Sequence, residues 1–253
     1  MRIRHLTLRN FPNVQEYEAD FACDIVFLAG EETETVLRAI DVLTGGEETG
    51  DIPAEALITA EVETEDGVFF VTAEQSGIGA YLGLSDATGE YRQMIENRRE
   101  ERSCRFYPNR DKPFSQRLQE YHTEPDSIDA REVGSKSFFH GYVSSFIRRF
   151  QPIRLRCRKD VSLHLSAEGE FFIASADGRI PTEALSKSER TAFEYHCFLL
   201  LQDFWREYKE VQDIHTEKPP LLISGLSSLG GCFSEDEMIR KAKETNCQCF
   251  FAP

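Results

Sequence analysis

The sequence predicts an α/β protein, with a mixed sheet, an N-terminal antiparallel β subdomain and flanking helices. Three observations predict this fold class. Apolar and polar side chains alternate through most of the first 21 residues, which is typical of antiparallel strands with one buried face. Residues 25–29 and 221–223 are short, wholly apolar runs, as expected of strands buried on both faces. Residues 186–214 carry an apolar stripe at spacings of three and four, which predicts one long helix.

The N-terminal third predicts two hairpins separated by a strand and a helix. The predicted elements are strands over 3–11, 15–21 and 25–29, a helix over 31–43, and strands over 56–63 and 68–73. Asp66-Gly67 separates the last two strands and is a strong hairpin signal. This part of the chain therefore supplies the antiparallel subdomain.

The rest of the chain predicts an irregular middle and a regular C-terminal third. Residues 75–135 are polar, which predicts a loop-rich insertion with short helices near 91–100 and 114–121. Ser186 and Glu189 have the spacing of a capping box at the start of the long helix. The other predicted elements are a helix over 138–150, a hairpin of 161–166 with 170–175, a strand over 221–223, a helix over 234–245 and a strand over 247–252.

Charge is distributed unevenly along the 253 residues, whose net charge is −15. Residues 1–90 hold 4 Lys/Arg against 19 Asp/Glu, residues 91–159 hold 16 against 9, and residues 160–253 hold 9 against 16. The acidic ends argue against a protein that coats nucleic acid broadly, because attraction to phosphate needs a basic face. The basic middle third still allows a local patch.

The expected compartment is the cytoplasm. The longest unbroken apolar run is far shorter than the roughly 20 residues that a membrane span needs, and from the N-terminal residues we expect no secretion signal. Seven scattered cysteines indicate free thiols in a reducing environment. Cys247 and Cys249 lie on one face of a predicted strand without a second pair, so buried core thiols are favoured over a zinc site.

Several segments, in the order in which they occur, resemble the ABC ATPases of the RecF/SMC branch. The strand-like start at residues 1–11 and the strand, turn and helix at residues 25–40 resemble the typical opening of that branch. Residues 185–189 resemble its signature motif, residues 220–223 its Walker B strand, and residues 227–230 its D-loop. The resemblance implies one P-loop NTPase/ABC-head-like domain over residues 1–253, with lobes at 1–74 and 151–253 around an insertion at 75–150.

The motif positions implied by this resemblance have lost the residues that handle phosphate. After Gly30 the loop is about three residues short, the lysine is absent, and Glu31, Glu32 and Glu34 stand in the loop and the first helical turn. A P-loop needs glycine-rich backbone, that lysine and a Ser/Thr hydroxyl for Mg²⁺. The eroded positions are Gly30, Thr33, Thr35, Ser186, Glu189 and Ser224. An acidic helix start is therefore favoured over an unorthodox phosphate site.

The Walker B acids are also missing, because Ser224 and Gly225 follow the predicted strand. The resemblance thus implies no catalytic residue, no nucleotide cofactor and no metal. We expect a non-catalytic pseudo-ATPase head that binds, scaffolds or regulates, pairing with itself or with an active ATPase.

Two arginine clusters keep other functions open. One spans Arg98, Arg99, Arg102, Arg105 and Arg110, and the other contains Arg148, Arg149, Arg154, Arg156 and Arg158. Such clusters can pair with the acidic N-terminal third of the same chain, bind a partner protein or, least favoured, grip nucleic acid. A further alternative is an enzyme of another class, with Cys104, His122 and Asp126 as candidates in the 75–150 insertion.

Overall fold

The computed structural model describes residues 1–44, 52–65, 67–82, 104–107, 147, 153–155, 158–165, 171–181, 184–211, 218–225 and 233–253. The chain divides into two compact units. The first comprises Met1–Arg105, His215–Ser224 and Ala242–Pro253, and the second comprises Phe106–Ile214 and Gly225–Lys241.

The described residues form sixteen helices and strands in chain order. They are β1 Arg2–Phe11, β2 Val14–Asp20, β3 Ile25–Phe27, α1 Thr33–Leu43, β4 Leu57–Thr64, β5 Gly67–Glu74, β6 Gly77–Leu82, β7 Cys104–Phe106, β8 Ile153–Leu155, β9 Arg158–Leu165, β10 Phe171–Ser175, β11 Gly178–Ile180, α2 Lys187–Val211, β12 Leu221–Ile223, α3 Glu235–Glu244 and β13 Cys249–Phe251.

The first unit contains an antiparallel sheet in the order β2-β1-β4-β5-β6. Its register places Leu8 of β1 beside Tyr17 of β2 and Ile58 of β4. Because side chains alternate along a strand, Leu6, Leu8 and Ile58 all point to one face, where they are fully buried. This face forms one core with the apolar side of α1.

A second sheet has the order β3-β13-β12-β7, in which β3, β13 and β12 run parallel. These short strands are apolar throughout, as expected when both faces are covered. Leu222 of β12 and Phe250 of β13 belong to the same core as Leu37 and Ile40 of α1. α1 therefore packs on one face of this sheet, and its first turn lies at the carboxyl ends of the strands.

The amide of Gln248 links the two sheets of the first unit. Its side chain is buried and stands directly before β13. Its Oε1 accepts a hydrogen bond from the Ile3 backbone N–H at 2.7 Å, and its Nε2 donates to the Ile3 carbonyl at 2.9 Å and to the Cys23 carbonyl at 3.5 Å. One side chain thereby satisfies both backbone polar groups of a residue in β1.

The second unit contains strands in the order β11-β10-β9-β8 and the helix α2. Phe193, Tyr195 and Phe198 of α2 are buried. The ring of Phe106 lies 5.5 Å from Tyr195 and 5.6 Å from Phe198, between ring centroids. The Tyr195 hydroxyl donates to the Met238 carbonyl at 3.3 Å, so this aromatic core ties α2 to α3.

Most predicted elements of the described residues are confirmed, including the three hairpins and the short apolar strands β3 and β12. Three short strands were not predicted: β6, β7 and β11. The expectation of irregular structure from residue 75 was wrong for β6 and β7. In β6, Gly77 and Gly79 hide the alternation of a strand. The helices expected near 91–100, 114–121 and 138–150 lie outside the described residues, except that Ile147 is helical.

Candidate functional site

The carboxyl edge of the parallel strands is the candidate site, because ligands of open α/β sheets bind there. The register aligns Phe27 of β3, Phe251 of β13 and Ile223 of β12. The chain leaves β3 through Gly30 and leaves β12 through Ser224. Gly30 and Ser224, both predicted as eroded motif positions, therefore follow strands that end at the same edge.

The turn from β3 into α1 is short and closed by internal hydrogen bonds. The Leu28 N–H donates to the Phe251 carbonyl at 2.8 Å, and α1 begins five residues later. Gly30 has φ of +105°, which L side chains rarely adopt, and a Cβ there would lie 3.1 Å from a carboxylate oxygen of Glu32. The Val36 N–H donates to the Glu32 carbonyl at 2.9 Å, which starts the helix.

Both threonine hydroxyls at this turn donate to backbone carbonyls of the first unit. Thr33 donates to the Gly30 carbonyl at 2.9 Å and Thr35 donates to the Pro12 carbonyl at 3.3 Å. Both side chains are buried. Thr33 thus closes the turn, and Thr35 attaches the first turn of α1 to the β1–β2 hairpin.

Three carboxylates surround the start of α1. Glu31, Glu32 and Glu34 are exposed, and no lysine occurs between Gly30 and the end of α1. Burial and then the nearby Glu32 carboxylate raise the pKa of the Tyr17 phenol above its usual value. The turn is therefore acidic, as the sequence predicts. Carboxylates here are favoured by the positive end of the helix dipole, by about 0.3–1 kcal/mol each.

Glu34 forms an ion pair with Arg105 of β7, whose Nη2 donates to Glu34 Oε2. The two residues are 71 positions apart. For Arg105, the prediction that the basic cluster pairs with the acidic N-terminal third of the same chain is confirmed. No sequence signal identifies Glu34 as the partner, because the pair is made by the packing of α1 on the sheet.

Ser224 occupies the position where the resemblance implies a Walker B acid. Its side chain is buried, and its Oγ has no hydrogen-bond partner. Ser224 directly follows β12, whose Leu222 belongs to the same core as α1. A serine followed by a glycine supplies no carboxylate to hold Mg²⁺ or to activate water.

Ser186 and Glu189 form the predicted capping box in the second unit. The Ser186 N–H donates to Glu189 Oε2 at 2.8 Å, and the Glu189 N–H donates to Ser186 Oγ at 3.4 Å. These reciprocal bonds satisfy two backbone N–H groups at the start of α2. Starting this helix is sufficient to explain both residues.

The other candidate residues lie largely outside what the structure describes. Arg148, Arg149 and Arg156 are outside the described residues, as are His122 and Asp126. For three further residues the backbone is described but the side chains are not: Cys104 in β7, Arg154 in β8 and Arg158 in β9. Among the described residues, no three His, Cys, Asp or Glu side chains are placed to hold a metal ion.

Burial favours the neutral forms of the Cys249 thiol and the His196 imidazole. Burial, with a contribution from Cys247, raises the pKa of the Cys249 thiol to about 12. Both thiols are buried, which confirms the predicted core cysteines. Burial and then the Lys241 ammonium lower the pKa of the His196 imidazole to about 3. Lys241 Nζ lies 3.1 Å from His196 Nδ1, which accepts its hydrogen bond when the imidazole is neutral.

Comparison with known proteins supports the fold. No protein-family model and no curated protein sequence matches the chain. The solved structure of the recombination mediator protein RecF of the RecFOR pathway with ATPrS superposes with a TM-score of 0.53, at 12% identity, over 100% of this chain and 92% of that chain. The chain has a RecF-like fold. A second RecF structure, with ATP, gives a TM-score of 0.50 at 14% identity, over 100% and 93% of the two chains.

The RecF likeness confirms the resemblance at the level of the fold alone. At 12–14% sequence identity the comparison is evidence for the architecture and not for the chemistry, because one fold can carry many functions. The loss of the phosphate-handling residues and the three-part division of the domain remain predictions. Among the described residues, no helix has the length and apolar character to cross a membrane.

Proposed function

We propose that this chain is a non-catalytic head of the RecF/SMC type that acts by binding another protein, either a second copy of itself or an active ATPase subunit. The observation that carries the proposal is the acidic, lysine-free turn between β3 and α1. In a phosphate-binding loop of this fold, backbone N–H groups and a lysine surround the phosphates. Here the corresponding turn carries Glu31, Glu32 and Glu34.

Electrostatics oppose a triphosphate at this turn. Two like charges 4 Å apart repel by about 1 kcal/mol in water and by about 4 kcal/mol near a protein surface. A triphosphate would face three such carboxylates without a lysine to offset them. The ion pair between Glu34 and Arg105 further reduces the positive charge available to a ligand.

The end of β12 supports the same conclusion for hydrolysis. Phosphoryl transfer in this fold needs a carboxylate for Mg²⁺ and a residue that orients the attacking water. Ser224 and Gly225 provide neither group. A chain that keeps the RecF-like scaffold without these residues is suited to binding rather than to turnover.

The partner class follows from the fold likeness. RecF is a recombination mediator of the RecFOR pathway. We therefore propose a protein partner with an ATPase head of the same type, or a second copy of this chain.

Isothermal titration with ATP and Mg²⁺ tests the proposal directly. We expect no saturable binding, whereas RecF, whose structure with ATP is solved, serves as the positive control. Micromolar binding of ATP, or release of phosphate by the purified chain, would remove the proposed function. Light scattering then separates the two partners, because self-pairing requires twice the chain mass of 29.0 kDa.

A further inference from the structure

The face of the antiparallel sheet opposite its core carries a hydroxyl, an imidazole and a carboxylate joined in series. Thr7 Oγ1 lies 3.0 Å from His5 Nε2, and His5 Nδ1 lies 2.7 Å from Asp20 Oδ1. His5 and Thr7 are two positions apart in β1, so their side chains share one face, and Asp20 is directly opposite His5. The three groups therefore follow the order of nucleophile, base and orienting acid.

The hydrogen bonds assign a role to each nitrogen of the His5 ring. An ionised carboxylate only accepts hydrogen bonds, so the contact with Asp20 favours the tautomer with its proton on Nδ1. Nε2 then keeps its lone pair and accepts from the Thr7 hydroxyl, as a general base must. Glu18 is directly opposite Thr7, and its Oε1 lies 3.7 Å from His5 Nε2. Its negative charge therefore faces the imidazolium that proton transfer creates.

Arg9 occupies the next position of the same face of β1. It is two residues after Thr7, it is exposed, and it forms no ion pair within the described residues. Neighbours on one face of a strand are roughly 7 Å apart, which an extended arginine side chain can span. Its guanidinium can thus approach a carbonyl oxygen whose carbon is attacked by Thr7 Oγ1, and a positive charge there stabilises the oxyanion.

We propose that Thr7, His5, Asp20 and Arg9 form a hydrolytic site for small carboxylic esters. Thr7 Oγ1 bonds to the acyl carbon, its proton passes to His5 Nε2, and Arg9 faces the negative oxygen. The ester C–O bond breaks and the alcohol leaves with that proton, so the acyl group remains on Thr7. Water then gives a proton to Nε2 while its oxygen bonds to the acyl carbon. The Thr7 oxygen leaves and takes up the proton, which releases the acid and restores the site.

This site is separate from the edge at which the proposed function places the closed nucleotide position. β1 and β2 belong to the antiparallel sheet, whereas Gly30 and Ser224 follow strands of the parallel sheet. The inference therefore goes beyond the binding role and leaves the expected absence of ATP hydrolysis unchanged. The side chain of His5 is 31% exposed, so a small ester reaches it from solvent. An open face suits esters with good leaving groups.

Hydrolysis of p-nitrophenyl acetate by the full chain tests the site, with mass spectrometry of acid-quenched protein to locate the acetyl group. We expect the acetyl group on the peptide that contains Thr7. Thr7→Val should abolish this acylated peptide, and Thr7→Ser should keep it because serine also carries a hydroxyl. His5→Gln should lower kcat at least about 100-fold, the lower end of what a positioned general base contributes.

Two control variants should hydrolyse the ester like the wild type. Thr59 is opposite Thr7 on β4, so Thr59→Val removes a hydroxyl from a neighbouring position of the same sheet. His164→Gln removes the imidazole of a pair in the second unit, in which Ser162 Oγ lies 2.8 Å from His164 Nε2. The ring of His164 stacks on Phe172 and forms no ion pair within the described residues, so this pair lacks the orienting carboxylate.

Asp20 acts through His5 and is a positioning residue. Asp20→Asn should therefore lower kcat and leave KM unchanged, because the amide no longer fixes the tautomer of the ring. Asp20→Glu should recover part of kcat, since a carboxylate again accepts from Nδ1. A role in sheet stability alone would change the unfolding midpoint without this division between kcat and KM.

Circular dichroism checks that each variant is folded before its rate is compared. Hydrolysis by the wild type at the rate of folded Thr7→Val would refute the site, and so would an acetyl group found only on other residues. Equal losses in Thr59→Val or His164→Gln would refute it as well, because the activity would then not depend on the series of three groups. The titration with ATP tests the proposed function separately, and its outcome does not depend on Thr7.

Discussion

Gln248→Leu should destabilise the first unit strongly, although the substitution keeps the size of the side chain. The Gln248 amide exchanges two hydrogen bonds with the backbone of Ile3, at 2.7 and 2.9 Å. These residues are 245 positions apart, and the bonds join the antiparallel sheet to the segment before β13. Leucine fills the same space but can neither donate nor accept.

The expected cost follows from the groups left behind. A buried backbone N–H or C=O that loses its partner costs about 1–3 kcal/mol, so the two groups of Ile3 cost roughly 2–6 kcal/mol together. Burial of the additional apolar surface of leucine stabilises the folded state by about 1 kcal/mol or more. We expect a net loss of roughly 3 kcal/mol, which lowers the melting temperature of a chain of this size by about 6–10 °C.

Urea unfolding followed by circular dichroism measures the loss, and hydrogen exchange locates it. The amide of Ile3 should exchange faster in the variant, while amides of the second unit keep their protection. Gln15→Leu is the control, because it makes the same chemical change at an exposed position of β2. Equal midpoints for the two variants, with unchanged exchange at Ile3, would refute the account of the Gln248 link.

Three further predictions concern the second unit and the thiols. Ser186→Ala removes one half of the capping box and should lower the unfolding free energy by about 1 kcal/mol, measured from the urea midpoint. Glu189→Gln should retain most of the stabilisation by the capping box, because glutamine also occupies this position in capping boxes. The pKa of His196 is lowered to about 3 in the folded state, so between that pH and the ordinary pKa of about 6.5 only the unfolded state binds the extra proton. The unfolding free energy should therefore fall by up to about 1.4 kcal/mol for each pH unit as the pH drops through this window. His196→Gln should flatten this slope. Alkylation at pH 8, followed by peptide mapping, should label the exposed Cys23 in the folded protein. The buried thiols Cys197, Cys247 and Cys249 should be labelled only after urea is added.

Local patterns were sufficient to predict most regular elements of the described chain. The alternation in β1 and β2, the apolar run of β12 and the stripe of α2 each depend on residues within one element, so their type follows from neighbours in sequence. The strand β6 was missed because its two glycines carry no side chain that could display alternation. The strand β7 is only three residues long, too short for a periodic signal.

The sequence by itself determined the acidic, lysine-free turn after β3, the absence of carboxylates after β12 and the capping box of α2, since each is a matter of which residues follow one another. Only the tertiary structure decided that Arg105 meets Glu34, that Ser224 is buried, and that Gln248 binds the backbone of Ile3. These contacts join residues far apart in the chain, or depend on which face of a sheet a helix covers. Their physical cause is the packing of apolar faces, which brings polar groups together without leaving a mark in the local sequence.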